Sequence, residues 1–574
     1  MLRKNKKQEV STLIIKDIYP AKAQFKNGEK IGILVELEGA LESDILRCNV
    51  YRLHEQIRTL EIFLSSKEDI VKFEFDIDNN DKLISGYGVE IELYHMDEVV
   101  QTFGTAFDIL PSWKYAPRYG FLSDFSKEDL KDKDDLKEMN KYHLNVVQYY
   151  DWMYRHHDLI PKSDIFIDPL QRELSLSTVK DKIDLAHKYG MEAIAYGAVY
   201  ASAPEYYKKN KDLGIYKNNG DIYGFGDFLY MMDISRENKW HDHIINEFYK
   251  VIKLGFDGIH MDQYGFPKEA ISSVNGKRAI RNLREDFPNL IDDTKNYIEE
   301  KGEKVSLIFN AVNNWPVETV AQSEQDAVYI EVWPPNDTYQ DLYNLITNAK
   351  KYAPEKQVIL AAYMKPFLEE LNIPIEQAEN STLLTMATIF ASGGFHLLLG
   401  ENRGVLDDPY YPKYRTIENE QFNNKLRTYY DFIVKYEELL FDFDIIDTSM
   451  VNTGGINGEY VIKGVEASPK VEADKVWSLV KEKPDFKVIN LVNFKGVEDM
   501  NWNEPKEKLP TKVENIEVSV LTCNDVKAVY LASPDFEDGK TIRLNFSYVE
   551  GDQGNEIRFV VPELYVWDLI YIEY

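Results

Sequence analysis

The stretch Gly255-Phe-Asp-Gly-Ile-His-Met-Asp262-Gln-Tyr-Gly265 is an apolar run that ends on a carboxylate and then turns. It predicts a buried strand that presents Asp262 at its C-terminal end. A second stretch, Ala327-Val-Tyr-Ile-Glu331-Val-Trp-Pro-Pro335, has the same form and presents a glutamate 69 positions later. In a barrel of alternating strands and helices each βα unit takes roughly 30 to 40 residues, so this spacing is about two units and both acids arrive on one face.

Reading outward from these two strands gives six more: 121–124, 144–148, 193–196, 306–310, 358–363 and 395–399, with 258–262 and 328–331 completing eight. Amphipathic stretches such as 127–141 and 176–189 separate them and read as helices. Eight alternating units predict a closed (β/α)8 barrel over 111–445, with Gly393, Gly394 and Gly400 suited to tight packing at the two ends of the last strand. Before it, residues 1–110 carry short alternating runs such as Ile31-Gly-Ile-Leu-Val-Glu-Leu-Glu38, broken by turn residues at Lys26-Asn-Gly28; this predicts an immunoglobulin-like β-sandwich. After a helical stretch at 418–440, residues 446–574 return to short strands and predict a second antiparallel β-sandwich. The fold class is therefore α/β and multidomain, a TIM barrel between two sandwiches. The polar, proline-containing segment 497–512 reads as a long surface loop.

The formal charge is −30 over 574 residues. Such a surface repels phosphates, which argues against nucleic acid or anionic membrane as partners, and no apolar run of about 20 residues predicts a membrane span. Aromatic residues make up 13% of the chain, 38 of them tyrosine, a supply of rings on which sugar faces pack. The two cysteines, Cys48 and Cys523, signal no disulfide framework, zinc site or redox pair and are expected to be small buried residues. The start, Met1 to Lys7, is basic, yet only Leu13-Ile-Ile15 is continuously apolar, too short for a secretion signal. The expected location is cytoplasmic as the chain is written, or secreted with its signal removed.

Polar residues gather where the predicted strands end: Asp124, Gln148, Asp262, Asn310 and Glu331, with Tyr149, Asp151 and Trp152 just beyond the second strand. Two carboxylates facing one cleft fit glycoside chemistry, which needs one acid ionised and one protonated. Gln263 and Tyr264 are expected to hydrogen-bond Asp262 and favour its ionised form. Glu331, between Ile330 and Val332, is expected to be the raised, proton-donating acid. Asn310, Asn313 and Asn314 are candidate donors to sugar hydroxyls. Gln148, Tyr149, Asp151, Trp152, Tyr196, Gln263, Asn310, Trp333, Tyr363 and Glu401 are the expected substrate contacts, with Trp152 and Trp333 as stacking rings. The adjacent His156 and His157 read as loop or substrate contacts, since neighbours in sequence rarely bind one ion. No metal and no cofactor is expected. Gly224-Phe-Gly226 is a two-glycine turn lacking the rest of any nucleotide fingerprint.

Three stretches, Ile18-Tyr-Pro-Ala-Lys-Ala-Gln-Phe25, Gly255 to Asp262, and Val328-Tyr-Ile-Glu331-Val-Trp333, together with the domain order, resemble glycoside hydrolase family 66, the dextranases and cycloisomaltooligosaccharide glucanotransferases. The resemblance implies an aspartate nucleophile at Asp262, a glutamate acid/base at Glu331, and retaining endo-cleavage of α-1,6-linked glucan, with dextran or isomaltooligosaccharides as substrate. It also implies that the transferase branch carries a carbohydrate-binding module inserted in the barrel. The span from Glu331 to Glu401 holds only ordinary strand and helix signals, which favours the hydrolytic branch. A transglycosylase and a non-catalytic glucan-binding protein remain the alternatives.

Overall fold

A computed structural model of the chain describes residues 13–39, 44–64, 69–78, 82–95, 97–274, 276–449, 458–536, 539–551 and 553–574. The first twelve residues, on which the reading of location partly rests, lie outside them. An eight-stranded parallel sheet forms the centre: β1 (Tyr119–Leu122), β2 (Val146–Tyr149), β3 (Glu192–Ala198), β4 (Gly258–Asp262), β5 (Ser306–Asn310), β6 (Ala327–Glu331), β7 (Val358–Ala361) and β8 (Phe395–His396). Each strand pairs in parallel with the next in sequence order. A bridge between Phe121 and Gly400 joins the last strand's extension to the first. Glycine is needed at that seam, because a Cβ on Gly400 would lie 2.4 Å from the Phe121 carbonyl oxygen.

The helices between strands are amphipathic and bury one face on the sheet, as in Lys239–Leu254, whose Trp240, Ile244, Phe248 and Val251 are all buried. The expected helix at 127–141 is confined to Asp134–Lys141. Lys131, in the left-handed region at φ 71°, breaks the chain's helical path just before it.

Among the described residues, seven strands precede the barrel in two antiparallel sheets, one of Ile14–Pro20, Ile31–Glu38 and Ile70–Phe75, the other of Asp44–Arg52, Glu55–Phe63, Ser85–His95 and Glu98–Ile109. Alternation explains their packing: Ile31, Ile33, Val35 and Leu37 point into one core with Cys48, Val50 and Ile91. After the barrel, a four-stranded and a seven-stranded sheet enclose a second sandwich core that includes Val480, Leu491, Val518, Phe559 and Ile570. Cys48 is buried as expected, whereas Cys523 is exposed in a turn between strands.

The segment 497–512 is not a solvated loop. Trp502 is buried, its indole nitrogen donates to the Asn336 carbonyl at 2.9 Å, and Ser381 donates to the Trp502 carbonyl at 3.1 Å. The C-terminal region is thereby fastened to the helices after β6 and β7, so the segment's polar composition serves a docked contact. No helix among the described residues is long and apolar enough to cross a membrane.

Candidate active site

Strand ends in a parallel barrel point toward one mouth, and here β4, β5 and β6 bring Asp262, Asn310 and Glu331 side by side. The Asn310 side-chain nitrogen donates to Asp262 Oδ1 at 2.8 Å and to Glu331 Oε2 at 3.1 Å. The two acceptor oxygens are therefore separated by less than the sum of those distances. The remaining carboxylate oxygens are each held by a tyrosine. Tyr196, on β3, donates to Asp262 Oδ2 at 2.7 Å, and Tyr363, two residues past β7, donates to Glu331 Oε1 at 2.7 Å. Burial raises both tyrosine pKa values far above the ordinary phenol range, so both hydroxyls stay protonated donors.

Burial, reinforced by the charge of Glu331, pushes the Asp262 carboxyl up to about 7, although Asn310 and Tyr196 pull it down. The Gln263 backbone hydrogen-bonds Asp262 and lowers its pKa, as expected of that residue. The side-chain donors are Asn310 and Tyr196, while the Gln263 side chain turns away to donate to the Asn310 carbonyl at 3.0 Å and to accept from the Gly265 amide at 2.7 Å.

The pair opens into a cavity of about 440 Å³, within the size range of small-molecule sites. Four buried polar atoms on its wall have no protein partner: Gln148 Oε1, Asp151 Oδ1, His156 Nδ1 and Asn310 Oδ1. Buried polar groups normally find a partner, so these four side chains around the cavity are available to a polar ligand. Asp151 is held at φ 42°, and its carboxyl is pushed up to about 7, chiefly by burial, with Asp168 and Asp262 adding to the shift and Arg172 opposing it. Burial lowers His156 and His260 to about 3, so both rings are neutral. His260 lies on the floor, 3.1 Å from the Tyr119 hydroxyl. Among the described residues no three His, Cys, Asp or Glu side chains converge as metal ligands.

Of the expected substrate contacts, Gln148, Asp151, Tyr196, Asn310, Trp333 and Tyr363 line this cavity together with both acids. Four do not. Tyr149 follows Gln148 on β2 and so faces the opposite side of the sheet, stacked on Phe125 at 5.4 Å. Trp152 is fully buried against Phe256 at 4.6 Å, with its indole nitrogen on the Tyr196 carbonyl at 3.3 Å. Gln263 ties the ends of β4 and β5, as described. Glu401 accepts from the Ser123 amide at 2.9 Å and the Ser123 hydroxyl at 2.6 Å, and so bonds the two sides of the barrel seam.

Asp124 is an exposed loop cap that accepts from the Ser126 amide at 2.8 Å. Asn313 bonds both the Trp333 amide and the Pro334 carbonyl, and Asn314 donates to the Leu345 carbonyl, so both position the turn after β6 or its neighbours. Sequence reading missed Tyr150, His260, Phe225, Phe228 and Tyr410 on the cavity wall. His260 was within reach of that reading, since it alternates with Asp262 on β4; the others stand on loops or, for Phe225, on a two-residue hairpin strand too short to carry a periodic signal.

A parallel barrel with a bridged carboxylate pair at its mouth defines the class of barrel enzymes that act on glycosidic bonds. The model of glycosyl hydrolase family 66 matches residues 20–571, and the chain belongs to that family. A cycloisomaltooligosaccharide glucanotransferase of Niallia circulans is 25% identical over 97% of this chain and 72% of its own length. A dextranase of Streptococcus salivarius is 23% identical over 85% of this chain and 67% of its own. The crystal structure of a Paenibacillus sp. cycloisomaltooligosaccharide glucanotransferase complexed with cycloisomaltoheptaose superposes with a TM-score of 0.87, at 21% identity, covering 98% of this chain and 100% of that one. That likeness shows the fold.

Proposed function

We propose that this protein is a retaining endo-acting glycoside hydrolase that cleaves α-1,6-linked glucan, dextran or isomaltooligosaccharides, to shorter linear products. The observation that carries the reading is Asn310 bridging Asp262 and Glu331 inside a cavity with four unpartnered polar atoms. Retaining enzymes place their two carboxyl groups about 5 to 5.5 Å apart, close enough for direct attack, whereas inverting ones leave about 6.5 to 9.5 Å for a water. In this mechanism Asp262 attacks the anomeric carbon as Glu331 gives its proton to the departing oxygen. Glu331 then takes a proton from the water that releases the sugar from Asp262. Tyr196 and Asn310 hold Asp262 for attack, and Tyr363 orients Glu331.

The hydrolytic reading is favoured by the span between β6 and β8, which holds the helix Tyr339–Tyr352, β7 and the helix Ile375–Ala391 without an inserted module. The alignment to the Niallia circulans glucanotransferase runs over 715 positions against 574 residues here, so that relative carries segments this chain lacks. A second reading, transfer of the glycosyl group to a sugar hydroxyl with release of cyclic products, is favoured by the two relatives named as such glucanotransferases. Incubation with dextran separates them. Hydrolysis produces new reducing ends in proportion to bonds broken, while cyclisation yields products lighter by one water and few reducing ends. Absence of both would overturn the enzymatic assignment to α-1,6-glucan.

A further inference from the structure

The two-glycine turn at Gly224-Phe-Gly226 stands in the excursion between β3 and the helix Lys239–Leu254, far in sequence from both acids. It forms a narrow hairpin in which Gly224 pairs with Tyr230 and Phe225 with Leu229. The hairpin demands its glycines. Gly226 has φ +57°, and a Cβ on Gly224 would lie 2.6 Å from the Leu229 carbonyl oxygen. Its tip carries Phe225 and Phe228, each 49% exposed, and both line the cavity that contains Asp262 and Glu331. Phe225 is braced from behind by Tyr264 at 5.6 Å and by Phe266 at 6.4 Å, the second nearly coplanar at 26°. Phe225 is thus fixed from one side, Phe228 meets it edge-on at 6.0 Å, and both residues stay half exposed. Two phenylalanines held outward on a glycine turn lose the free energy of burial, and such exposed apolar area marks a contact surface.

We infer that Phe225 and Phe228 form a sugar-stacking platform that holds glucan residues away from the cleavage point and selects long chains over short ones. The inference rests on the proposed glucan-cleaving function and extends it to chain length. A pyranose presents a face of C–H groups that packs on an aromatic ring, and a platform continuous with the catalytic cavity is reached only by a chain that extends beyond it. A short oligosaccharide held at the acids places fewer of its residues on it.

The test compares wild type, F225A/F228A and the ring-preserving F225Y/F228Y on dextran and on isomaltotriose. The expected result is a loss of roughly three- to tenfold in kcat/KM on dextran for the alanine pair, the size of a lost aromatic contact. The loss should appear in KM and be at least threefold larger on dextran than on isomaltotriose, with the tyrosine pair close to wild type. Equal loss on both substrates, or none on dextran, overturns the platform. Dextran affinity electrophoresis of E331Q with and without F225A/F228A gives a reading independent of turnover: weaker retardation is expected, and equal retardation overturns the platform. Wild-type protein that binds dextran through these rings yet cleaves no glucan overturns the proposed function and leaves the platform standing.

Discussion

At the scale of single residues the site depends on two carboxyl groups, Asp262 and Glu331, bridged by Asn310. Asp262→Asn and Glu331→Gln keep side-chain shape while removing the charge or the proton donor. Each is expected to lower kcat by at least about 100-fold, the usual range for an acid–base group, with the circular dichroism spectrum unchanged. Azide should restore activity to Asp262→Ala with inverted product and, given a good leaving group, to Glu331→Ala with retained product; the same stereochemistry from both would contradict the assigned roles. The raised pKa of Asp262 sets the pH dependence. Asp262 must be ionised to attack, so kcat/KM should fall on an acidic limb as pH drops through about 7, and activity unchanged down to pH 5 would contradict the raised value. Stability follows the opposite sign. The folded value exceeds the ordinary 3.8, so the folded state binds more protons between 3.8 and about 7, and this group's contribution to stability is lost as pH rises through that window. Asp262→Asn should therefore raise Tm at pH 8 and change it less at pH 4; the reverse order would contradict the burial argument.

At the scale of elements, alternation along a strand decides which neighbours meet the substrate. Gln148 faces the cavity and Tyr149 the layer behind β2, a difference of one residue that a reading by strand ends does not separate. The turn after β2 then carries Trp152 back into that layer, while the turn after β6, held by Asn313, leaves Trp333 partly exposed on the cavity wall. The two tryptophans should behave differently on truncation. Trp152→Ala is expected to cost about 3 to 5 kcal/mol of stability, as for a buried ring, with kcat/KM of the folded fraction largely kept. Trp333→Ala should weaken glucan cleavage with little change in Tm. Urea unfolding and dextran kinetics on both variants check this, and a stable Trp152→Ala enzyme with impaired kinetics would return that ring to the site.

At the scale of the whole molecule, buried ionic contacts join the first sandwich to both ends of the barrel region. Arg118, at the entry to β1, is buried with its guanidinium 2.6 Å from Asp108 of the first sandwich and 3.6 Å from Glu437 after the last barrel helix. Removing it leaves two buried acids facing each other, so Arg118→Ala is expected to destabilise by about 3 to 5 kcal/mol. An unchanged urea midpoint would show that this seam contributes little. The sequence by itself determined the order of regions, the eight strands and the placement of both acids at strand ends, because burial and chain direction are written in local periodicity. It also contained the family resemblance that the match over residues 20–571 establishes. Only the tertiary structure decided that one asparagine bridges the acids, that Tyr196 and Tyr363 hold their outer oxygens, that Glu401 bonds the seam, and that a hairpin more than thirty positions before Asp262 reaches the same cavity. Those contacts join residues far apart in the chain, and they exist only once strand register and barrel closure have set which side chains face one another.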